Sequence, residues 1–348
     1  MIKQDLNAIM RIPGRNIRNI VLILFIILAG LQFESCRRNR LNVNLSGREV
    51  SPDFIRFDRL LFDKTINFRE LYEKYPHFCN LFTYKVINIG GHDDEQFEMY
   101  LGKFLSDTLI LNTRNKVEAV FGDGSRLQES IKSAFSHYHY YFPEKKIPQV
   151  FTFISGFNQS VVVDEGLIGI GLDKYLGRNC LYYYMLEIPG YKVSRMYRER
   201  IPVDVMYAWG SSEFEKKGSE STLLNQMIYE GKMLFFVDAM LPRLHDTLKI
   251  GYTGRQLSWC KKNEAGMWSA LIEKKMLYTT KRMDIIRYTG EAPTTSGFPN
   301  ESPGRTGNWI GWQIVRKYME KNPEISLSRL MDNTDAQQIL NLSGYYPD

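Results

Sequence analysis

Apolar residues along this chain fall into distinct textures, and each texture predicts a different kind of element. Between Asn67 and Phe142 they recur at helical spacing, as in Leu101, Phe104, Leu105 and Leu109, which predicts several helices joined by short turns. Gly122-Asp123-Gly124 reads as a turn. Ser125 followed by Gln128 reads as a capping box that opens the next helix. Pro143 and Pro148 end the pattern, and from Gln149 to Leu172 the apolar residues come in short β-branched and aromatic runs. Residues 150–154, 161–163 and 167–172, separated by Gly156 and by Asp164-Glu165-Gly166, predict three strands of a small sheet. Helical texture returns over about 199–214, 220–240, 255–277, 305–321 and 335–342, with Thr334 and Gln337 as a second capping box before the last helix. The stretch 289–304, rich in Pro, Gly, Ser and Thr, reads as a loop ordered by aromatic neighbours. Helices, a small sheet and more helices predict a mostly helical α+β domain whose sheet, at about residues 149–172, is covered by helices on one face.

The N-terminus has a texture of its own. Lys3, Arg11, Arg15 and Arg18 precede an unbroken run of apolar and small residues from Ile20 to Leu31, and charge returns at Arg37. That is the three-part pattern of an export signal. Even extended to Phe33 the run is 14 residues long, short of the roughly 20 a helix needs to cross a bilayer. Cys36 follows directly, preceded by the small Ser35, which predicts cleavage before Cys36 and its lipidation; Phe33 and Glu34 depart from the usual box, so an uncleaved short anchor is the alternative. The expected organisation is a signal peptide over 1–35, a polar tether over 36–49 and a single domain over 50–348. Arg37-Arg38-Asn39-Arg40 lacks the acidic stretch of a surface-export tag, which favours a cell-envelope protein facing the periplasm.

Charge narrows the function classes. The chain has 45 basic and 39 acidic residues, a net charge of +6, and the first 35 residues account for +2 of it. So small a surplus, spread along the chain, argues against nucleic acid as a partner. The four cysteines, Cys36, Cys79, Cys180 and Cys260, fit neither a zinc spacing nor a disulfide framework, and the three outside the lipidation site read as small buried apolar residues. The five histidines include one close pair, His137 and His139; two residues apart on a helix they point about 200° away from each other and read as surface or interface residues in a tyrosine-rich run. No phosphate loop or nucleophile elbow occurs. The glycines from Gly166 to Gly171 lie in strand-like sequence and read as close-approach positions. Glu230, beside Gly231 on an apolar helix, reads first as a paired core carboxylate and second as a catalytic group. All five tryptophans lie in the C-terminal half. Core packing explains most of them, while Trp259, Trp268, Trp309 and Trp312 are candidates for an interaction surface.

Several ordered motifs carry a resemblance. They include Ile55-Arg56-Phe57-Asp58, Phe142-Pro143, the run Ile168 to Gly177, Met227-Ile228-Tyr229-Glu230-Gly231-Lys232, Gln256 to Trp259 with Asn263-Glu264 and Trp268, Ser302 to Gly307 leading into Trp309 to Val315, and Ser343 to Pro347. In this order the chain resembles the gliding-motility lipoprotein GldB family of Bacteroidota from about Ile55 to Pro347. The resemblance implies a membrane-anchored envelope lipoprotein that serves motility, the linked secretion machinery or envelope maintenance through protein partners. The family is in turn similar to predicted zinc proteases of the gluzincin type, in which Glu230 would complete the metal site. The helix where a histidine pair would lie, about 199–214, holds Val203 to Trp209 and no histidine, and zinc needs imidazole or thiolate ligands. The expectation is therefore a metal-free, cofactor-free, zincin-like scaffold without catalysis; the alternative is an envelope-anchored peptidase or hydrolase.

Overall fold

The computed structural model describes residues 40–214 and 222–347. The predicted signal segment and Cys36 lie outside the described residues. A compact unit runs from Val43 to Asp348, so it starts within the expected tether: Val50 N donates to Ser136 Oγ at 3.1 Å, and Glu49 pairs with Lys132 at 3.2 Å.

The sheet has four strands, β1 (Phe54–Ile55), β2 (Gln149–Phe153), β3 (Val161–Asp164) and β4 (Leu167–Gly171), in the order β1-β2-β4-β3. β1 and β4 run parallel to β2, and β3 is antiparallel to β4, with Phe54 opposite Val150, Val150 opposite Ile168 and Val162 opposite Gly169. β1 is the strand that periodicity misses, because two residues carry no alternation to detect. Arg56 fixes it in place: its guanidinium forms two hydrogen bonds with Asp58, at 2.8 and 2.7 Å, and a third with the Gly122 carbonyl, while Asp58 accepts from Thr152 on β2. A buried carboxylate needs such partners. Gly169 and Gly171 are close-approach positions, since a Cβ on Gly169 would come within 2.8 Å of the Phe153 ring and 2.7 Å of Val162.

Before β2 come α1 (Phe68–Lys74), α2 (Pro76–Leu81), α3 (Phe97–Ser106), α4 (Thr108–Phe121) and α5 (Ser125–Tyr141). α5 starts at Ser125, so Ser125 is not its cap. Gly124, at φ 84°, is the N-cap, and Asp123 Oδ1 takes the Ser125 amide and hydroxyl at 3.0 and 2.8 Å. After β4 follow α6 (Leu181–Met185), α7 (Ile201–Glu213), α8 (Leu223–Met240), α9 (Asp246–Ile250), α10 (Gly254–Lys262), α11 (Glu264–Glu273), α12 (Arg282–Thr289), α13 (Thr306–Lys321), α14 (Leu327–Asp332) and α15 (Ala336–Ser343). The single helix expected over 255–277 is two, divided at Asn263, and a Thr253/Gln256 capping box opens the first. The last helix is capped by Asp335, not Thr334, because the carboxylate one residue later accepts the Gln338 amide at 2.8 Å.

The sheet is covered on both faces, not one. On the first, Phe78 stacks on Phe151 with centroids 4.1 Å apart, inside a cluster that includes Phe57, Phe82 and Phe153. On the other, α7 packs against β3 and β4, and β4 is buried at all five positions. Asp173, just past β4 and wholly buried, accepts the Ser155 amide at 3.0 Å and the Phe157 amide at 2.6 Å, which pins the β2–β3 connection to the sheet's end. Burial pushes its carboxyl above the ordinary value against those hydrogen bonds. Around the long loop 289–304, Phe298 sits between Trp259 and Tyr288, at 6.5 and 5.9 Å, as the aromatic pattern predicts.

Candidate functional site

Three helices, α7, α8 and α13, meet around Glu230. α8 is apolar nearly all round, which suits a helix surrounded by others, and α13 crosses it where both carry glycine. A Cβ on Gly231 would strike the Gly311 carbonyl, and one on Gly311 would lie 2.5 Å from the Met227 carbonyl carbon. This backbone contact brings Asn308, near the start of α13, up to Glu230.

Glu230 is half-buried. Its carboxylate accepts from Gln226 Nε2 at 2.9 Å on its own helix, from Asn308 Nδ2 at 3.2 Å on α13, and from the Tyr207 hydroxyl on α7. Burial, and after it the Glu230 charge, push the Tyr207 hydroxyl well above its ordinary pKa, so the phenol stays protonated and donating. The described hydrogen bonds thus come from neutral side chains on all three helices. α7 is the helix on which the gluzincin-like reading would place a metal-binding pair. Tyr207 occupies it with a direct hydrogen bond to Glu230, and among the described residues no group of three or more His, Cys, Asp or Glu side chains could hold a metal ion. These residues do not fit a zinc site, for a protonated phenol and a carboxamide are poor zinc ligands.

The next face of α8 carries Lys232, 7% exposed, whose ammonium donates to the Met331 and Asn333 carbonyls at 3.0 and 2.8 Å. It thereby satisfies the end of α14. Lys232 also lines a depression with Glu213, Asn225, Tyr229, Asn333 and Thr334. Burial lowers its pKa from the ordinary 10.5 to about 8. Between those two values the unfolded chain still holds a proton that the folded chain has released, so this group makes stability rise with pH across that window and withdraws the gain as pH falls through about 8. Urea unfolding of the parent chain and of Lys232→Met at pH 7 and pH 10 is expected to differ in its pH dependence by up to about 3 kcal/mol. Equal slopes for the two proteins would contradict this.

The tryptophans divide by burial. Trp309 and Trp312 are 1% and 0% exposed and form part of the core at the α8–α13 crossing, so neither offers an interaction surface. Both lie on a helix that is packed on several sides, and their size makes them core material there. Trp268 is nearly buried against Tyr345, with centroids 5.1 Å apart, and Trp259 is half-buried beside Phe298. The four do not form a shared exposed groove. His137 is likewise in the core, not on the surface: its Nδ1 lies 2.9 Å from the Ser133 carbonyl, and burial lowers its pKa. Cys79 and Cys260 are buried free thiols pushed up to about 12, and Cys180 is half-exposed. Sequence reasoning singled out Glu230 but not Tyr207, Asn308 or Lys232. The only available signal for Lys232 was a lysine inside an apolar helical run.

A mixed four-stranded sheet enclosed by helices, with a carboxylate that accepts from Tyr207 and Asn308 on neighbouring helices, defines a helix-rich α+β domain organised around a polar helix junction. The family described as gliding motility protein GldB matches residues 38–347. The chain belongs to that family. No curated protein and no solved structure matches it. Among the described residues, no helix is long and apolar enough to cross a membrane.

Proposed function

We propose that this chain is a cell-envelope lipoprotein, anchored through Cys36 and facing the periplasm, that supports gliding motility or its linked secretion machinery by binding protein partners and carries out no catalysis. The family match supports the motility assignment, and the order of charge, apolar run and Cys36 supports the anchor. The observation that carries the non-catalytic part is the Tyr207–Glu230 hydrogen bond. It joins α7 to α8 where the zincin-like reading would require a metal to join them. Tyr207 and Asn308 tie α7 and α13 to α8 through this carboxylate, which is what a scaffold asks of it.

Two measurements test the reading. Fatty-acid labelling and membrane fractionation of the intact chain and of Cys36→Ser are expected to show label and membrane retention in the first and neither in the second; retention without label in both would mean an uncleaved anchor. Metal analysis of the purified chain is expected to find no stoichiometric zinc. A tightly held zinc that is lost in Glu230→Gln would overturn the scaffold and restore the peptidase.

A further inference from the structure

Single exposed apolar side chains are ordinary on a protein surface, whereas a group of them is not. Within residues 272–287, Ile272, Tyr278, Met283 and Ile286 are 47%, 62%, 72% and 45% exposed. Exposed cations alternate with them: Lys274, Lys275, Lys281, Arg282 and Arg287, against Glu273 and Asp284. Of these, Arg287 pairs with Asp284 at 3.4 Å, and the Tyr278 hydroxyl donates to Gln337 at 2.8 Å. α12 turns Tyr288 inward and leaves Met283 and Ile286 outside, between Arg282 and Arg287. An ordinary surface helix would show water a purely polar face there.

Aliphatic tips set among ammonium and guanidinium groups match the boundary between headgroups and acyl chains of an anionic bilayer. Lipid phosphates would face the cations, and the tips would enter the apolar layer, with tyrosine at the level between. We propose that residues 272–287 dock the domain onto an anionic lipid surface. This rests on the reading that the chain is anchored at Cys36, which would leave a connector of 7 residues before Val43, a reach of at most about 25 Å. A second exposed apolar run, Leu181 to Leu186, is less cationic: residues 181–187 hold Glu187 and no lysine or arginine, with Lys116 over the Tyr182 ring at 5.5 Å and Arg178 before the run.

Cysteine labelling tests the proposal on the full chain. Cys79 and Cys260 are buried, and Cys180 is removed as Cys180→Ser. In that background Met283→Cys and, separately, Met185→Cys carry an environment-sensitive fluorophore, on protein reconstituted with vesicles of phosphatidylethanolamine and phosphatidylglycerol. The label at 283 is expected to shift to the blue and be quenched by nitroxide lipids, and to lose both effects on phosphatidylcholine vesicles or when Lys281→Glu and Arg282→Glu are added. The label at 185 is expected to stay in water. Flotation with the vesicles reads the anchor separately. A chain that floats with its 283 label in water overturns the docking alone, whether because a protein partner covers this face or because the 185 label enters the bilayer instead. A chain that does not float, with the 283 label in water, overturns both the docking and the anchor.

Discussion

Gly311→Ala is expected to lower the unfolding free energy by about 3 kcal/mol or more, at or beyond the upper end of the roughly 1–3 kcal/mol typical of overpacking. Alanine would ordinarily gain roughly 1 kcal/mol over glycine inside a helix, so the sign depends on space. Space decides against it, because the new methyl would overlap the Met227 carbonyl and lie 2.5 Å from its carbon. The obstacle is the backbone of another helix, not the end of a flexible side chain, so α8 and α13 must move apart along their shared seam. That movement also draws Asn308 away from Glu230. Gly231→Ala should act the same way, since its methyl would meet the Gly311 carbonyl. Because either change opens the same seam, the double variant should cost clearly less than the sum of the two. Urea unfolding measures all three, and a Gly311→Ala chain as stable as the parent would show that the crossing is looser than described.

The second large effect is expected at Asp238, which is 3% exposed at the far end of α8. Its carboxylate accepts from Lys249 Nζ at 2.8 Å, Trp312 Nε1 at 2.8 Å, and Arg316 Nε and Nη2 at 2.7 and 2.9 Å. Arg316 in turn reaches Asp246 with two bonds of 2.8 Å and lies over the Trp312 ring at 3.7 Å. Burial alone would raise the Asp246 carboxyl, but the hydrogen bonds and charge of Arg316 outweigh it and hold the group below its ordinary value. Asp238→Ala leaves Lys249, 4% exposed, with its ammonium in the core and its carboxylate partner gone. Removing one member of a buried ion pair costs about 3–5 kcal/mol, and thermal or urea unfolding should read a loss of that size. Adding Lys249→Met to Asp238→Ala should recover a substantial part, since Arg316 keeps Asp246 and the stranded ammonium is gone. If the double variant is no more stable than Asp238→Ala, the stranded charge is not the cause of the loss.

The positions of these two networks explain how much the amino-acid pattern reveals. Gly231 and Asp238 lie in the same helical run. Nothing local distinguishes Gly231, whose lack of a side chain admits another helix, from a glycine tolerated in passing. Asp238 is one acidic residue in an apolar stretch, and its partners come from two further helices, α9 and α13. Glu230 drew attention for the same reason, yet its Asn308 partner is 78 residues away. Spacing identified the helix that carries α7 without indicating that Tyr207, among its apolar neighbours, would meet that carboxylate. Core packing accounts for Trp309 and Trp312, and their candidacy for an interaction surface fails for a related reason: residue type says that a large side chain will be buried against something, but not which side of α13 faces solvent.

What the sequence determined by itself is the succession of textures. Helical periodicity, the β-branched runs and the glycines of β4 established an α+β class with a sheet near residues 149–172, because these patterns are set by burial within each element. The ordered motifs pointed to the family, since they spread over nearly the whole chain. Tertiary structure alone decided that β1 completes the sheet, that both sheet faces are covered, that Trp309 and Trp312 are core, and that Glu230 is held by three helices. It also decided that Met283 and Ile286 face outward among cations. Periodicity records which face of an element is apolar. Which other element meets that face depends on closing loops across many residues, and that choice is made by shape, charge and close approach between segments that carry no mark of one another in sequence.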